Sequence, residues 1–477
     1  MLSSWLSGLL LICTFAWSFG QSKTAAAEYA TLDISFDTGI PAQSSHSNLI
    51  VTNQGISNFR KNEDGILISP SHFFRLGNPV HLMSLVPVLH GSNLLANGIQ
   101  LEVRFSDDQV TWTPWREIRP SWSHAEGDST WIGEPTVVEI NVAYFQYRLI
   151  IFPNNPAVPL FVKSLKWDQF TPGNVSPVNP EFLQPISYPR TDPNCPCPLP
   201  VFATRQQWGN PNGNGFTCSP LPLTSVSHIL VYQSGIPGDS ATTNWAAQAL
   251  ALEHYHTQSL GMCDIGFNWM IDPAGIIYEG RGGGDDVRGE HFCGQDAGTM
   301  SICMLGDFSQ NPPTLAAFTS LANLIAWKAC DSDIVPTNTL FHLGSLQTLP
   351  VVSAFDGSCN HSTMPGTALS NLIPAIKQRA TTQLNACQAT SLLAEMNEGI
   401  EVFPNPADQE ISISIPESMG THWTYQLLNM TGQLVDTQPS DGSGDVIRLD
   451  VSTLPAGIYL LRLTHGDWNT VRKISIR

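Results

Sequence analysis

The sequence predicts a multidomain α+β chain with an N-terminal antiparallel β-sandwich, a central α/β domain on a mixed sheet, and a small C-terminal β-sandwich. Three observations carry this expectation. Residues 29–169 alternate short β-rich runs with Gly, Pro, Asn and Asp and show no sustained helical period, as antiparallel strands do. Residues 201–388 alternate strand-like with helix-like runs, as helices packed on a sheet do. After residue 397 the chain returns to strand alternation punctuated by Gly turns. A length of 477 residues suits roughly three such domains.

Taken in order, residues 1–20 read as a secretory signal peptide, with an apolar run from Trp5 to Trp17 and a polar exit at Gln21. Ile12 before Cys13 argues against a lipid anchor. No other run approaches the ~18 apolar residues that span a bilayer, so the mature chain is expected to be exported. Its net charge of −18 offers no basic stripe to neutralise phosphates, which excludes a nucleic-acid partner.

In residues 21–171, the segment 101–118 turns Leu101, Val103 and Phe105 to one side and closes on Trp112 and Trp115. The segment resembles strands of galactose-binding-like sandwiches. The two rings are expected to plug the core, as most large aromatics do, the alternative being a sugar-stacking platform. Residues 172–200 hold many prolines, which rules out a ladder or a helix and predicts a stiff linker.

In residues 201–388, VSHILVYQS (226–234) reads as a strand and WAAQALALEHYHTQ (245–258) as a helix with Trp245, Ala249, Leu252 and His256 on one face. Phe267–Ile271 and Ile276–Tyr278 flank an Asp-Pro-Ala-Gly turn and form a hairpin. SICML is a strand. Pro313 opens a helix bearing Leu315, Phe318, Ala322 and Ile325, and a last helix starts near Thr367.

Setting Cys13 aside, nine of the ten cysteines fall between Cys195 and Cys387, which suggests disulfide staples in an oxidising compartment. Cys195-Pro196-Cys197 is too tight for the usual zinc pair. Cys303, inside the apolar strand, is expected to stay a free thiol, and Cys330–Cys359 and Cys263–Cys293 are the preferred pairs.

The hairpin, together with EGRG at 279–282, GEHFCG at 289–294 and SICMLGDF at 301–308, resembles the central sheet of the peptidoglycan recognition proteins and their zinc-dependent N-acetylmuramoyl-L-alanine amidase relatives. The resemblance runs from about Ala203 to Arg379. It implies a zinc held by two His and one Cys with an open position for water. The first ligand position is Tyr232, where the family has His. The second is His342 in TLFHLGS, which keeps the imidazole, and the third is Met364 in HSTMPGTAL, where the family has Cys. Phe267 replaces the tyrosine that polarises the scissile carbonyl. A phenol with an ordinary pKa of about 10 and a thioether are poor zinc ligands, so no cofactor is expected. His228 lies four residues before Tyr232, about 13 Å along a strand, too far to rebuild the site; His361, near Met364, would add only a second ligand. His256, Arg281 and His291 match positions near the family's substrate groove. They are expected either to bind substrate, Arg281 through a stem-peptide carboxylate, or to serve as packing and ties.

Residues 397–477 resemble the C-terminal sorting domain of type IX secretion substrates, through Pro404-Asn405-Pro406, Thr431-Gly432, Leu454 to Tyr459 and the basic end at Arg472 and Lys473. That resemblance implies the type IX machinery as a partner and the outer surface or exterior of a Gram-negative cell as destination. The expectation is therefore an exported pseudoenzyme that binds peptidoglycan or muropeptides. The alternatives are an active zinc amidase cleaving the N-acetylmuramoyl-L-alanine bond and a carbohydrate adhesin resting on Trp112 and Trp115.

Overall fold

The computed structural model describes Ala27 to Arg477, apart from residues 61, 75, 77–82, 95–97, 122–128, 139–141, 154–158, 187–191, 193–194, 210–217, 220–221, 237–242, 285, 355–364, 399, 416–422, 430–431, 440–445 and 466–467. The signal-peptide expectation lies outside the described residues.

Two antiparallel sheets build the N-terminal region. A seven-stranded sheet is organised on Phe161–Thr171, which pairs with Glu28–Ser35 on one side and Met83–Ser92 on the other. A six-stranded sheet is organised on Tyr144–Ile151, flanked by Ile99–Ser106 and Gly65–Ile68. Period-two alternation turns Leu101, Val103, Phe105, Phe145, Tyr147 and Leu149 inward. There they meet Leu85, Leu89, Leu165 and Trp167 of the other sheet in one core.

Trp112 and Trp115 are not in that core, which corrects the core-plug expectation. Asp108 accepts hydrogen bonds from the backbone N–H groups of Val110 and Thr111, both at 2.7 Å, and this turn folds the loop back over the outer face of the six-stranded sheet. There the Arg104 guanidinium lies 4.9 Å from the Trp112 ring and 4.4 Å from the Trp115 ring, while Arg148 lies 4.9 Å from Trp115. Stacked guanidinium and indole planes satisfy each other on the surface. The contacts that cover Trp115 also remove it as a bare platform for a sugar ring.

The Pro-rich stretch is fastened rather than free. Cys195 is bonded to Cys330 and Cys197 to Cys387, so its end is stapled to two helices of the middle domain. A third disulfide joins Cys218 to Cys263. The preferred pairs Cys330–Cys359 and Cys263–Cys293 are therefore not formed. Cys293 is disulfide-bonded, and Cys359 lies outside the described residues. Cys303 is a buried free thiol, as expected.

Elements of the middle domain are labelled here in chain order: β1 His228–Gln233, α1 Trp245–His254, β2 Trp269–Ile271, β3 Ile277–Glu279, β4 Thr299–Met304, α2 Leu315–Asp331, β5 Thr339–His342, β6 Gln347–Pro350, β7 Val352–Ala354, α3 Thr367–Ser370 and α4 Ile373–Glu398. Five strands form a mixed sheet in the order β3-β2-β4-β1-β7; β2 and β3 are antiparallel, and β4 and β7 run parallel to β1. β5 and β6 pair with each other as a separate two-stranded unit.

The sheet has a core on each face. Ile229, Val231, Met300 and Ile302 face α2 and α4, with Leu321, Leu324 and Ile376, while Leu230, Tyr232, Phe267 and Cys303 face α1. Thr314 caps α2 by accepting from the N–H of Ala317 at 3.1 Å. Leu315 is 80% exposed, so the buried stripe runs through Ala317, Leu321 and Leu324 instead of starting at Leu315. α4 continues to Glu398, and the C-terminal strands begin at Glu401.

Helix α1 is buried on every side from Trp245 to Leu252, not on a single face. Its second face packs on the N-terminal seven-stranded sheet: Val86, Val88, Ile132, Val137 and Phe170 share one cluster with Leu250 and Tyr255. The Phe170 and His254 rings stack at 3.8 Å, and the Tyr255 hydroxyl donates to the carbonyl of Gly133 at 3.3 Å.

In the C-terminal region, a three-stranded and a four-stranded sheet close over Ile411, Ile413, Leu427, Leu461 and Ile474. The Asn405 side chain donates to the carbonyl of Lys473 and accepts from the N–H of Ser475, both at 2.9 Å, joining the Pro-Asn-Pro turn to the last strand. Among the described residues no helix is long and apolar enough to cross a membrane.

Candidate functional site

Parallel α/β sheets present ligand sites at the carboxyl ends of their strands. In β1 that end is Tyr232 and Gln233. The Gln233 Oε1 accepts from the N–H of Phe308 at 2.6 Å. Gly366 abuts the same atoms: a Cβ there would stand 2.6 Å from both Gln233 Oε1 and the Phe308 carbonyl, and its φ is +86°. The turn after Met364 therefore docks at the end of β1, against Gln233 and Phe308. Met364 and His361 themselves lie outside the described residues.

Tyr232 is fully buried. Its hydroxyl lies 3.0 Å from His291 Nδ1 and 3.0 Å from the His291 carbonyl, and its ring is 5.2 Å from Phe267. With the imidazole proton on Nδ1, that N–H donates to the phenol oxygen and the phenol donates to the carbonyl, so both contacts are satisfied. Burial, reinforced by Asp296 and Cys303, pushes the phenol pKa well above its ordinary value. A phenolate ligand is thereby disfavoured at any physiological pH.

His342 is elsewhere. Its ring packs against His228 with centroids 5.0 Å apart, its Nδ1 accepts from the N–H of Ser345 at 3.1 Å, and its Nε2 lies 2.7 Å from the carbonyl of Ala297. His228 pairs with Thr299 in the register that pairs Tyr232 with Cys303, so His342 sits at the opposite end of β1 from Tyr232. Four residues of strand, about 13 Å, separate the two. One coordination sphere cannot hold both at that separation, and both ring nitrogens of His342 are engaged by neighbouring backbone groups.

The three groove candidates come together, but inside the protein. His256 continues α1 in a π-turn, is fully buried, and accepts from the N–H of Gly266 through Nδ1 at 2.9 Å. Burial first, and then the Arg281 charge, lower its pKa to about 3. His291 is held by Asp296, which accepts from the N–H groups of His291 and Phe292 at 2.7 and 2.6 Å. Burial lowers the His291 pKa to about 4 against the opposing pull of Asp296. Both imidazoles are neutral near pH 7.

Arg281 is 2% exposed. It donates to the carbonyl of Arg288 at 2.9 Å and to Glu290 at 2.6 Å, closing the 281–290 loop. It is the tie between hairpin and loop. To meet a stem-peptide carboxylate it would have to abandon those partners. Asp296, not singled out in the sequence, orders the GEHFCG loop; its only signal there was an acid five residues beyond His291.

The Sγ atoms of Cys195, Cys197 and Cys330 lie within 4.8 Å of one another, a spacing that could suit a metal. All three are consumed in disulfides, which accounts for their proximity. The residues at the inherited zinc position do not fit the ion: a hydrogen-bonded phenol holds the first place and the imidazole assigned to the second lies a strand's length away.

Two family models match the chain. Residues 223–366 match N-acetylmuramoyl-L-alanine amidase and residues 401–477 match the secretion system C-terminal sorting domain. Peptidoglycan-recognition protein 1 of Holotrichia diomphalia is 27% identical over 145 residues, 29% of this chain and 68% of that protein. Peptidoglycan-recognition protein SC2 of Drosophila simulans is 28% identical over 143 residues, 30% of this chain and 74% of the other. The solved Drosophila peptidoglycan recognition protein SA is 25% identical, with 37% of this chain and 91% of that one covered at a TM-score of 0.30. The chain thus carries an amidase-type domain of the peptidoglycan recognition class in its middle and a type IX sorting domain at its C-terminus, which directs it to the cell surface or beyond.

Proposed function

We propose that this is an exported peptidoglycan-binding pseudoenzyme, which recognises muropeptides without hydrolysing them. The observation that carries the reading is Tyr232: at the first ligand position stands a buried phenol whose hydroxyl is engaged by His291 and whose ring is packed on Phe267. Phe267 also lacks the hydroxyl that would polarise a scissile carbonyl. Binding needs only a complementary surface, whereas amide hydrolysis needs an activated water. Support for muropeptides as ligand is the family match and the names of the relatives.

The finer plan belongs to the same reading. Residues 1–20 are a signal peptide, 21–171 a galactose-binding-like sandwich, 172–200 a Pro-rich connector, 201–388 the recognition domain and 397–477 the sorting domain. Zinc analysis of the purified full chain, combined with muropeptide binding and release assays, tests the proposal. The expected result is saturable binding, less than a tenth of a zinc per chain and no release of peptide from glycan. One tightly held zinc with zinc-dependent hydrolysis would establish the amidase alternative; absence of muropeptide binding would overturn both.

A further inference from the structure

His342, unused by any metal, is the root of a feature that muropeptide binding does not employ. The hairpin β5–β6 stands apart from the five-stranded sheet and is fixed to the domain through this imidazole, which bonds Ala297 at one nitrogen and Ser345 of its own turn at the other. The His228 Nε2–H donates to the Leu340 carbonyl at 3.2 Å, adding a second tie. Gly344 is pressed against the 295 backbone, where a Cβ would meet the Gln295 carbonyl at 2.5 Å. The turn is therefore preorganised, yet what it presents to solvent is apolar: Phe341 is 55% exposed, Leu343 77% and Leu346 73%. From Ile334 to Ala354 the chain has no Asp, Glu, Lys or Arg, in a protein of net charge −18.

We propose that the β5–β6 hairpin is a lipid-interface anchor, by which the exported protein seats Phe341, Leu343 and Leu346 in the surface of a neutral or zwitterionic bilayer. A rigid turn exposing three large apolar side chains is not random surface. Its size decides between occupants. On a scale of about 150–250 Å² for a whole large side chain, the exposed parts come to roughly 300–400 Å². That is about half the ~800 Å² per partner of a stable protein interface, so a second copy is undersupplied. Insertion of a few side chains into the acyl boundary needs no such area. Charge agrees: the hairpin carries none, so it neither requires nor repels a zwitterionic headgroup, whereas the acidic remainder of the chain is repelled by anionic lipid.

The test is flotation of the full chain with phosphatidylcholine vesicles at low and high salt, beside the triple variant Phe341→Ser, Leu343→Ser, Leu346→Ser. None of the three side chains is buried, so the variant should fold, which its thermal unfolding and muropeptide binding will verify. The expected result is salt-independent flotation of the wild type and at least a tenfold weaker partition of the variant; a Phe341→Trp chain should show a blue-shifted emission on adding vesicles. No flotation of the wild type, equal flotation of both chains, or binding only to anionic vesicles at low salt would each overturn the proposal. So would a wild-type dimer in sedimentation that the triple variant abolishes, which would assign the hairpin to a second copy. Loss of muropeptide binding with flotation intact would count against the recognition reading and leave the anchor standing.

Discussion

Replacing Tyr232 by Phe removes one oxygen from the place where the family holds its metal. In the folded protein that oxygen lies 3.0 Å from the Nδ1 and 3.0 Å from the carbonyl of His291, and the residue has no exposure to water. Deleting it strands a buried imidazole nitrogen and a buried carbonyl. A stranded buried polar group costs about 1–3 kcal/mol, against about 1 kcal/mol for an ordinary hydrogen bond. The variant should therefore lose about 2 kcal/mol, read as a shift of the urea midpoint at unchanged slope. Because the phenol faces the core between Phe267 and His291, muropeptide affinity should move less than threefold. A Tyr232→Phe chain as stable as the parent would refute the claim that the hydroxyl is a structural group. A stable variant with binding abolished would place Tyr232 in contact with ligand and contradict its burial.

Arg281→Gln should act on stability, not on ligand charge: it removes the donor to the Arg288 carbonyl and to the half-exposed Glu290 and should cost about 1–2 kcal/mol in thermal unfolding, with no selective loss of ligands bearing a free carboxylate. His256 and His291 are held below their ordinary pKa, at about 3 and about 4, so between pH 6.5 and 4 the unfolded chain binds more protons than the folded one. Stability should then fall as pH drops through that window, by about 2–3 kcal/mol per unit near pH 5 from these two groups; a His256→Gln, His291→Asn chain that shows the same slope would disprove the assignment. Residues 172–398 expressed alone should be insoluble or unfolded, because the face of α1 that packs on Val86, Val88 and Phe170 would be bared; a soluble, cooperatively melting fragment would show that the two regions are separable.

The fold was legible where side-chain period alone decides it. The strand of Tyr232, the hairpin around Asp-Pro-Ala-Gly and the helix after Thr314 all stand where alternation and capping put them. Contacts made at long range were not legible. WAAQALALEH is apolar all round, which signals a helix buried on every side; reading a single face from it missed the N-terminal sheet that covers the other. Trp112 and Trp115 were open between core and platform because the sequence does not say which arginines will stack on them. Disulfide pairing followed the meeting of a Pro-rich end with two helices, which spacing does not encode. His342 was matched to a ligand position by residue type in a short motif, TLFHLGS, while the sheet topology separates β5 from the strand of Tyr232.

That separation determines what an attempted repair would do. Sequence reasoning suggests that Tyr232→His, Phe267→Tyr and Met364→Cys together should rebuild two His and one Cys. In the folded protein the triple change supplies at most an imidazole at residue 232 and a thiolate near the docked Pro365-Gly366 turn, because His342 remains about 13 Å away along β1. Two protein ligands do not make a stable zinc site, which takes at least three with the fourth position open. The new imidazole would also be smaller than the phenol it replaces and would face His291, whose Nδ1 loses its partner. We therefore expect the triple variant to be less stable than the parent and to bind zinc no more tightly than the micromolar range, with no release of peptide from muropeptides. Equilibrium dialysis against zinc measures this directly. Stoichiometric, submicromolar uptake by the triple variant would mean that a third ligand reaches the end of β1, and would return the chain to the class of amidases that have lost only their ligands and not their site.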